Sequence, residues 1–365
     1  MTVSDYHVAF IGTGPEPDNP VWGESAAMAY HHAAAYDEDD RCSLVACADI
    51  VEENASAFAD RNGIDPSNVF TDYAEMLQEV EPDIVSVCTP VPTHADIVID
   101  CANADGLRAI HCEKPMADTM AASRRMIDVC DERGVQLTFN HQRRVATPSR
   151  RVAELVREGA IGDVTRVELA TKNLFDAGTH LVDLCNSILD DRPVAWVMGQ
   201  IDYREENVRY GVHNENQALA RWQYEDGTDA IIATGDENPL IACDVRVTGT
   251  EGELELNPDG DAQLRVKTAD AAAWDEIDTG EPLADILEAV DDIIRGLETD
   301  EEPQLGGQRA LQTMEIILGC YESVRRRERV DFPLSIEDNP LVSMVESGEL
   351  SPEPARDEAA PDAED

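Results

Sequence analysis

Lysine is almost absent from this 365-residue chain: Lys114, Lys172 and Lys267 are the only three, and the other 25 basic side chains are arginines. Positive charge is scarce altogether, with 28 basic against 76 acidic residues and a net charge of −48. Such a polyanion is repelled by phosphate backbones and anionic lipid, which excludes nucleic-acid binding and polybasic membrane attachment. Long apolar runs are also missing, and none approaches the ~18 residues of a membrane span. The N-terminal MTVSDYHVAFIG has no basic stretch ahead of an apolar core, so no signal peptide is expected. The nine cysteines are odd in number, scattered and without a CxxC pair. That argues against a disulfide framework or a zinc site, and for reduced thiols in a cytoplasmic protein.

What is present is enough to fold. Hydrophobic residues make up 42% of the chain, sufficient for packed cores. The length corresponds to about two domains at ~150 residues each. An acidic, lysine-poor surface suits molar salt, where the Debye length shrinks to ~3 Å and self-repulsion is screened.

The first 140 residues alternate short β-rich runs (His7–Ile11, Ser43–Ala48, Ile84–Cys88, Ala109–Cys112, Val135–Phe139) with amphipathic stretches (Glu24–Tyr36, Glu52–Asn62, Asp72–Glu79, His94–Asp105, Thr119–Arg133). Apolar strands alternating with helices predict an α/β unit with a doubly wound parallel sheet. The rhythm then changes. Helices over Pro148–Glu158 and Thr179–Leu189 flank a strand at Asp163–Ala170, and successive β-runs follow from Ala195 to Leu256 with turn signals such as Asp226-Gly227 and Pro258-Asp259-Gly260. Helices Pro282–Leu297 and Gln308–Arg327 close this part. It reads as an α+β domain with a largely antiparallel open sheet. The resulting division is residues 1–139 for the first domain, 140–340 for the second, and 341–365 for an acidic disordered tail. The last fifteen residues hold six acids, three prolines and one arginine.

The first strand runs into Gly12-Thr13-Gly14. Glycines at this spacing permit a tight turn and close approach of backbone to a pyrophosphate. Pro17 stands where a third glycine is expected, and the run Pro15–Pro20 reads as an insertion. Gly23 or Ala26 is then left to supply the helix–strand contact. Asp49 ends the second strand, where a carboxylate accepts hydrogen bonds from an adenosine ribose and disfavours a 2′-phosphate. Ile50 and Val51 follow it rather than an arginine. The cofactor expected is NAD, with NADP as the alternative.

Glu113-Lys114-Pro115 follows the fifth strand, at the carboxyl edge where doubly wound sheets bind ligands. A composition that nearly eliminates lysine keeps one here. Lysine, unlike arginine, can shift its pKa and act as a compact cation. Asp176 and His180 stand four residues apart at a helix start, so both can project to one side.

Together with Thr89-Pro90 and His94 after the fourth strand, and the segment from Asp176 to Asp183, these motifs resemble the Gfo/Idh/MocA oxidoreductase family, from about residue 7 to about residue 330. The resemblance implies an N-terminal NAD(P)-binding Rossmann domain and a C-terminal α+β domain whose sheet supports a homo-oligomer, a dimer or tetramer. It also implies hydride transfer between a nicotinamide and a secondary alcohol of a sugar, cyclitol or related polyol. Carried over by position, Lys114, Asp176 and His180 are the catalytic residues. Gly12, Thr13, Gly14, Asp49, Thr89, Pro90, His94, Glu113 and Lys114 form the cofactor-binding set. In this reading His180 takes the hydroxyl proton, Lys114 stabilises the alkoxide, and Asp176 orients a neighbouring hydroxyl or the imidazole. The rival readings are an NAD-retaining glycosidase or epimerase and a ligand sensor without turnover.

Other motifs have plainer readings. His31-His32 are assigned to packing and surface, and Arg143-Arg144 to pairing with nearby acids. The link Thr171–Phe175 is short, which leaves the pocket more open or shifts its cover to Asp202–His213. The charge balance yields a first prediction. Lowering molar salt to about 50 mM should lower the thermal midpoint; a midpoint that does not move contradicts the salt-screening argument.

Overall fold

The computed structural model describes residues 6–17, 27–235, 240–258, 262–279, 285–299 and 301–354. In the first part, strands β1 (Tyr6–Ile11), β2 (Cys42–Ala48), β3 (Val69–Phe70), β4 (Ile84–Val87), β5 (Ala109–Cys112) and β6 (Gln136–Phe139) alternate with five helices. These are α1 (Met28–Asp37), α2 (Glu52–Asn62), α3 (Tyr73–Val80), α4 (His94–Ala102) and α5 (Met120–Arg133). All six strands are parallel, in the order β3-β2-β1-β4-β5-β6. Their side chains are buried on both faces, as continuous apolar strands require. Val8 and Phe10 meet α1 and α2 on one face, while Ala9 and Ile11 share a core with α3, α4 and α5 on the other.

The second part comprises α6 (Thr147–Arg157), β7 (Val164–Thr171), α7 (Gly178–Ile188), β8 (Val194–Asp202), β9 (Val208–Arg209), β10 (Val212–His213), β11 (Gln217–Tyr224), β12 (Asp229–Thr234), β13 (Cys243–Gly249), β14 (Gly252–Pro258), β15 (Leu264–Thr268) and β16 (Asp275–Glu276). It ends with α8 (Asp285–Thr299), α9 (Gly307–Arg326), β17 (Val330–Asp331) and α10 (Pro340–Glu346). Nine strands form one sheet, β16-β15-β14-β13-β7-β12-β11-β8-β17, antiparallel except for β7 beside β12. One face packs on α7 and α9, with Val167, Leu169, Val197, Trp222 and Ile232 fully buried between them. The other face carries no helix among the described residues.

Two expectations need correction. The segment from residue 341 is not wholly tail. Asn339 accepts hydrogen bonds from the Leu341 and Val342 amides and so caps α10, which buries Leu341 and Met344. Further on, Glu353 exchanges backbone bonds with Arg204 and Glu206. An acidic average over 341–365 had hidden this amphipathic turn; residues 355–365 lie outside the described residues. Nor does α8 close the second sheet, although it meets the second part at Gln142–Arg144 and through an Arg150–Glu288 ion pair. Its stripe Ile286, Ala289, Val290, Ile293 and Ile294 joins the core of Tyr6, Val8, Phe10 and Tyr36, so the chain returns to cover the first sheet. The proposed start of the first helix at Glu24, Gly23 and Ala26, the end of the proline-rich insertion, and the turn at Asp259-Gly260 also lie outside the described residues. All nine cysteines are free thiols, seven of them buried.

Candidate active site

The strand order reverses between β1 and β4, and the crevice at their carboxyl ends is where such sheets bind ligands. Gly12 and Gly14 both have positive φ, +82° and +65°. A Cβ at Gly12 would lie 2.5 Å from the Thr89 methyl, and one at Gly14 would lie 2.8 Å from that of Ala27. Only glycine fits either position. The loops after β1 and β4, which carry Gly12–Gly14 and Thr89-Pro90, are therefore pressed together. Ala27, at the start of α1, backs the turn from the helix side. Asp49 accepts hydrogen bonds from the Gly14 amide (2.9 Å) and the Thr13 hydroxyl (3.2 Å), so it braces the turn, while Ile50 beside it is 91% exposed. This cradle fits a dinucleotide: a tight glycine turn where a Cβ would clash, and a carboxylate at the end of the next strand.

His94 does not face this crevice. It is fully buried, with Nδ1 3.1 Å from the Pro115 carbonyl and Nε2 2.8 Å from the Thr89 carbonyl. Its position at the start of α4 makes it a clasp between two site loops, which corrects its assignment as a cofactor contact.

Glu113 is also buried, and its carboxylate is tightly held. One oxygen meets His32 Nε2 at 2.9 Å and the Asn140 amide at 2.7 Å, and the other accepts from the Lys114 backbone. Burial alone would raise its pKa; the His32 bond and charge, the Lys114 ammonium and Asn140 outweigh this and hold it at about 2. Burial would likewise lower the His32 pKa, but the Cys88 sulfur and Glu113 beside the ring raise it to about 10. His32 Nδ1 lies 2.9 Å from the Ser86 hydroxyl, and its ring stacks on His111 at 4.2 Å. His32 is therefore not a packing or surface residue. A signal for this lay in the sequence: position 32 shares the apolar face of α1 with Ala29, Ala33 and Tyr36, where a polar ring needs a partner.

Lys114, from the end of β5, reaches the second domain. Its Nζ lies 2.8 Å from Asp176 Oδ1, an ion pair with both side chains less than one-fifth exposed. Asp176 thus faces the ammonium rather than the imidazole. The Asn173 side chain accepts from the Asp176 and Ala177 amides, and Asn214 accepts from Asp176 as well. Buried Glu215 accepts from the Leu174 amide, the Thr234 hydroxyl and the Tyr321 hydroxyl. These contacts fix the short link between β7 and α7. His180 follows in the first turn of α7 and is 8% exposed. Burial, then the charges of Lys114, His141 and Arg143, hold its pKa well below the usual imidazole range, so the ring is neutral near pH 7. Its Nδ1 is buried without a hydrogen-bond partner. His141 packs edge-on at 5.9 Å and bonds Thr179. Sequence reasoning named Lys114, Asp176 and His180 but missed Asn214, Glu215 and the role of His141, whose partners are distant in sequence.

The cover over this cleft comes from Asp202–His213. The β9–β10 hairpin lies against the first domain, with the Val91 amide donating to the Tyr210 carbonyl. Arg144 is buried against Asp183 and Asp191, and Arg143 lies 3.6 Å from Asp244, in keeping with pairing to acids. Lys172 is exposed.

Fold and cleft together define a two-domain dinucleotide-binding protein with a lysine, a carboxylate and a neutral histidine at the domain boundary. Residues 21–141 match the family model described as "Oxidoreductase family, NAD-binding Rossmann fold". D-apiose dehydrogenase from Paraburkholderia graminis is 25% identical, covering 95% of each chain. D-xylose 1-dehydrogenase [NADP(+)] from Haloarcula marismortui is 26% identical over 84% of this chain and 91% of its own. Among solved structures, levoglucosan dehydrogenase in complex with NADH and levoglucosan superimposes with a TM-score of 0.75 at 19% identity, covering 91% of this chain and all of that one. Over the first domain the chain is thus similar to the NAD-binding domain of the Gfo/Idh/MocA oxidoreductases.

The buried His32–Glu113 pair has a pH signature. His32 has a folded pKa above its unfolded value of 6.5, so its stabilisation is complete below pH 6.5 and is lost as pH rises toward about 10. Glu113, depressed from 4.5 to about 2, loses its share only as pH falls through that interval. Denaturant titrations in molar salt should show wild-type stability declining from pH 6.5 to 10 more steeply than that of His32→Gln. Breaking the pair should cost about 3–5 kcal/mol at pH 6. Equal slopes for the two proteins would refute the assignment.

Proposed function

We propose that this protein is an NAD-dependent dehydrogenase that oxidises a secondary alcohol of a sugar, cyclitol or related polyol, or reduces the corresponding carbonyl. The observation that carries the reading is the Lys114–Asp176 ion pair beside a neutral His180, at the carboxyl edge of the dinucleotide sheet. Sugar-dehydrogenase relatives that align along most of the chain support the substrate class.

Gly12, Thr13, Gly14, Thr89 and Pro90 would hold the dinucleotide, with Asp49 toward the adenosine ribose. Its negative charge, followed by Ile50 and Val51 rather than a cation, favours NAD over NADP. The bound nicotinamide supplies a two-electron acceptor for the carbinol hydrogen. The chain's own residues manage the oxygen. His180, uncharged at neutral pH, accepts the hydroxyl proton. Lys114 donates a hydrogen bond to the same oxygen and stabilises the developing alkoxide. Asp176 holds the ammonium in place. Glu113, anchored by His32 and Asn140, fixes the backbone from which Lys114 projects.

The open sheet face supports a homo-oligomer. Met198 and Leu219 are about half exposed there, beside a row of Glu168, Arg246, Glu255 and Arg265 paired across strands. Nine free thiols support residence in a reducing cytoplasm, and the acid-rich composition supports work in molar salt.

Two measurements follow. In a molar-salt assay reading reduced cofactor, Lys114→Met and His180→Ala should each lose about 10²–10⁴ in kcat while still binding NAD. Near-wild-type kcat in both variants defeats the assignment, and hydride that returns without net NADH release favours an epimerase or glycosidase. Separately, Leu219→Glu should shift the protein to a smaller species on size exclusion; an unchanged elution volume removes this face from the interface.

A further inference from the structure

The β9–β10 hairpin breaks a local rule at its tip. Its two connecting residues, Tyr210 and Gly211, have φ of +50° and +84°. A two-residue turn with positive φ at both positions favours asparagine, aspartate or glycine at the first and glycine at the second. Gly211 obeys: a Cβ there would press on the Pro92 ring at 3.1 Å. Tyr210 does not, because a bulky L residue is strained in the left-handed region. Packing does not repay the strain, since the side chain is 66% exposed. Strain held at a site loop is a reason to look for function there.

The tip is nevertheless held in place. Tyr203 Oη and His213 Nδ1 are hydrogen-bonded at 2.6 Å beneath the hairpin, and the Asn214 amide donates to the Asn207 carbonyl at 2.8 Å. The Val91 amide donates to the Tyr210 carbonyl at 3.2 Å, seating the tip on the first domain. The Tyr210 ring centroid lies 6.0 Å from Lys114 Nζ. Half-exposed Val208 extends the apolar surface beside it. An aromatic platform is thus fixed at the mouth of the cleft, next to the ammonium that would receive the reacting oxygen.

We propose that Tyr210 is a substrate-binding residue that stacks on the apolar C–H face of a cyclic sugar or cyclitol, and so selects rings over open-chain polyols. The proposal rests on the dehydrogenase reading above. The face of an aromatic ring carries negative charge density that attracts the polarised C–H groups of a hydroxylated ring. A pyranose or cyclitol presents such a face ready-made. An acyclic polyol must first order several torsions to build one.

The test exploits the broken rule. Tyr210→Asn installs the residue the turn prefers, so the melting temperature in molar salt should hold or rise. Its KM for pyranoses and cyclitols should nonetheless increase about 10-fold, with kcat within about 3-fold of wild type. Its kcat/KM for acyclic polyols should change little, and NAD affinity should match wild type. Tyr210→Phe keeps the ring and should restore the cyclic-substrate KM. Unchanged KM in Tyr210→Asn overturns the proposal, as does an equal loss on cyclic and acyclic substrates. If wild type turns over but Tyr210→Asn is indifferent, only this inference fails. If wild type reduces NAD with no sugar, cyclitol or polyol, the dehydrogenase reading fails and takes this one with it.

Discussion

One contact across the domain boundary organises the molecule: the ammonium of Lys114, at the end of a parallel strand, against the carboxylate of Asp176, ahead of a helix in the other sheet's domain. Neither group is usefully placed alone. An unpaired ammonium in a largely buried cleft would carry a desolvation cost, and an unpaired carboxylate beside it would do the same. Paired, they hold a cation in the cleft at the position the proposed mechanism requires. The near neutrality of His180 is part of the same arrangement, because burial and the surrounding positive charges hold its proton off. A ring kept free of its proton by its neighbours suits the proposed role of general base.

Behind that contact stands a buried support. Glu113 is adjacent to Lys114 and cannot swing, since His32 and Asn140 share one of its oxygens. His94 ties the Pro115 carbonyl to that of Thr89. On the other side Asn173, Asn214 and Glu215 hold the loop that carries Asp176. The groups proposed to react are few, whereas the residues that keep them still are many and drawn from both domains. This is the economy expected of a preorganised site, in which supporting bonds are formed before substrate arrives.

Much of this was legible in the sequence where the signal is local. Glycines after a first strand, a retained lysine after the fifth, and an Asp–His pair at helical spacing all depend on near neighbours. The strand–helix rhythm likewise predicted the parallel sheet. What escaped depends on distant partners or on averaging. His94 looked like a ligand contact because its position suits one; only the fold shows both of its nitrogens occupied by backbone. The stripe of α8 was visible as a helix, but its docking on the first sheet was not. Acidic composition masked α10, whose apolar residues are only a few among many charges. The very short strands β9 and β10 lack the length for a period-two pattern, so in the sequence the hairpin is legible only as part of the candidate cover segment Asp202–His213.

The most direct test of the account is a kinetic double-mutant cycle. Lys114 and His180 are held to act on one oxygen as a unit, so removing both should cost little more than the costlier single removal. The measurement is kcat for Lys114→Met combined with His180→Ala, beside each single variant, in molar salt with saturating NAD. A double variant close to the worse single supports a shared reacting oxygen. Losses that multiply in full would show two independent contributions and contradict the arrangement described.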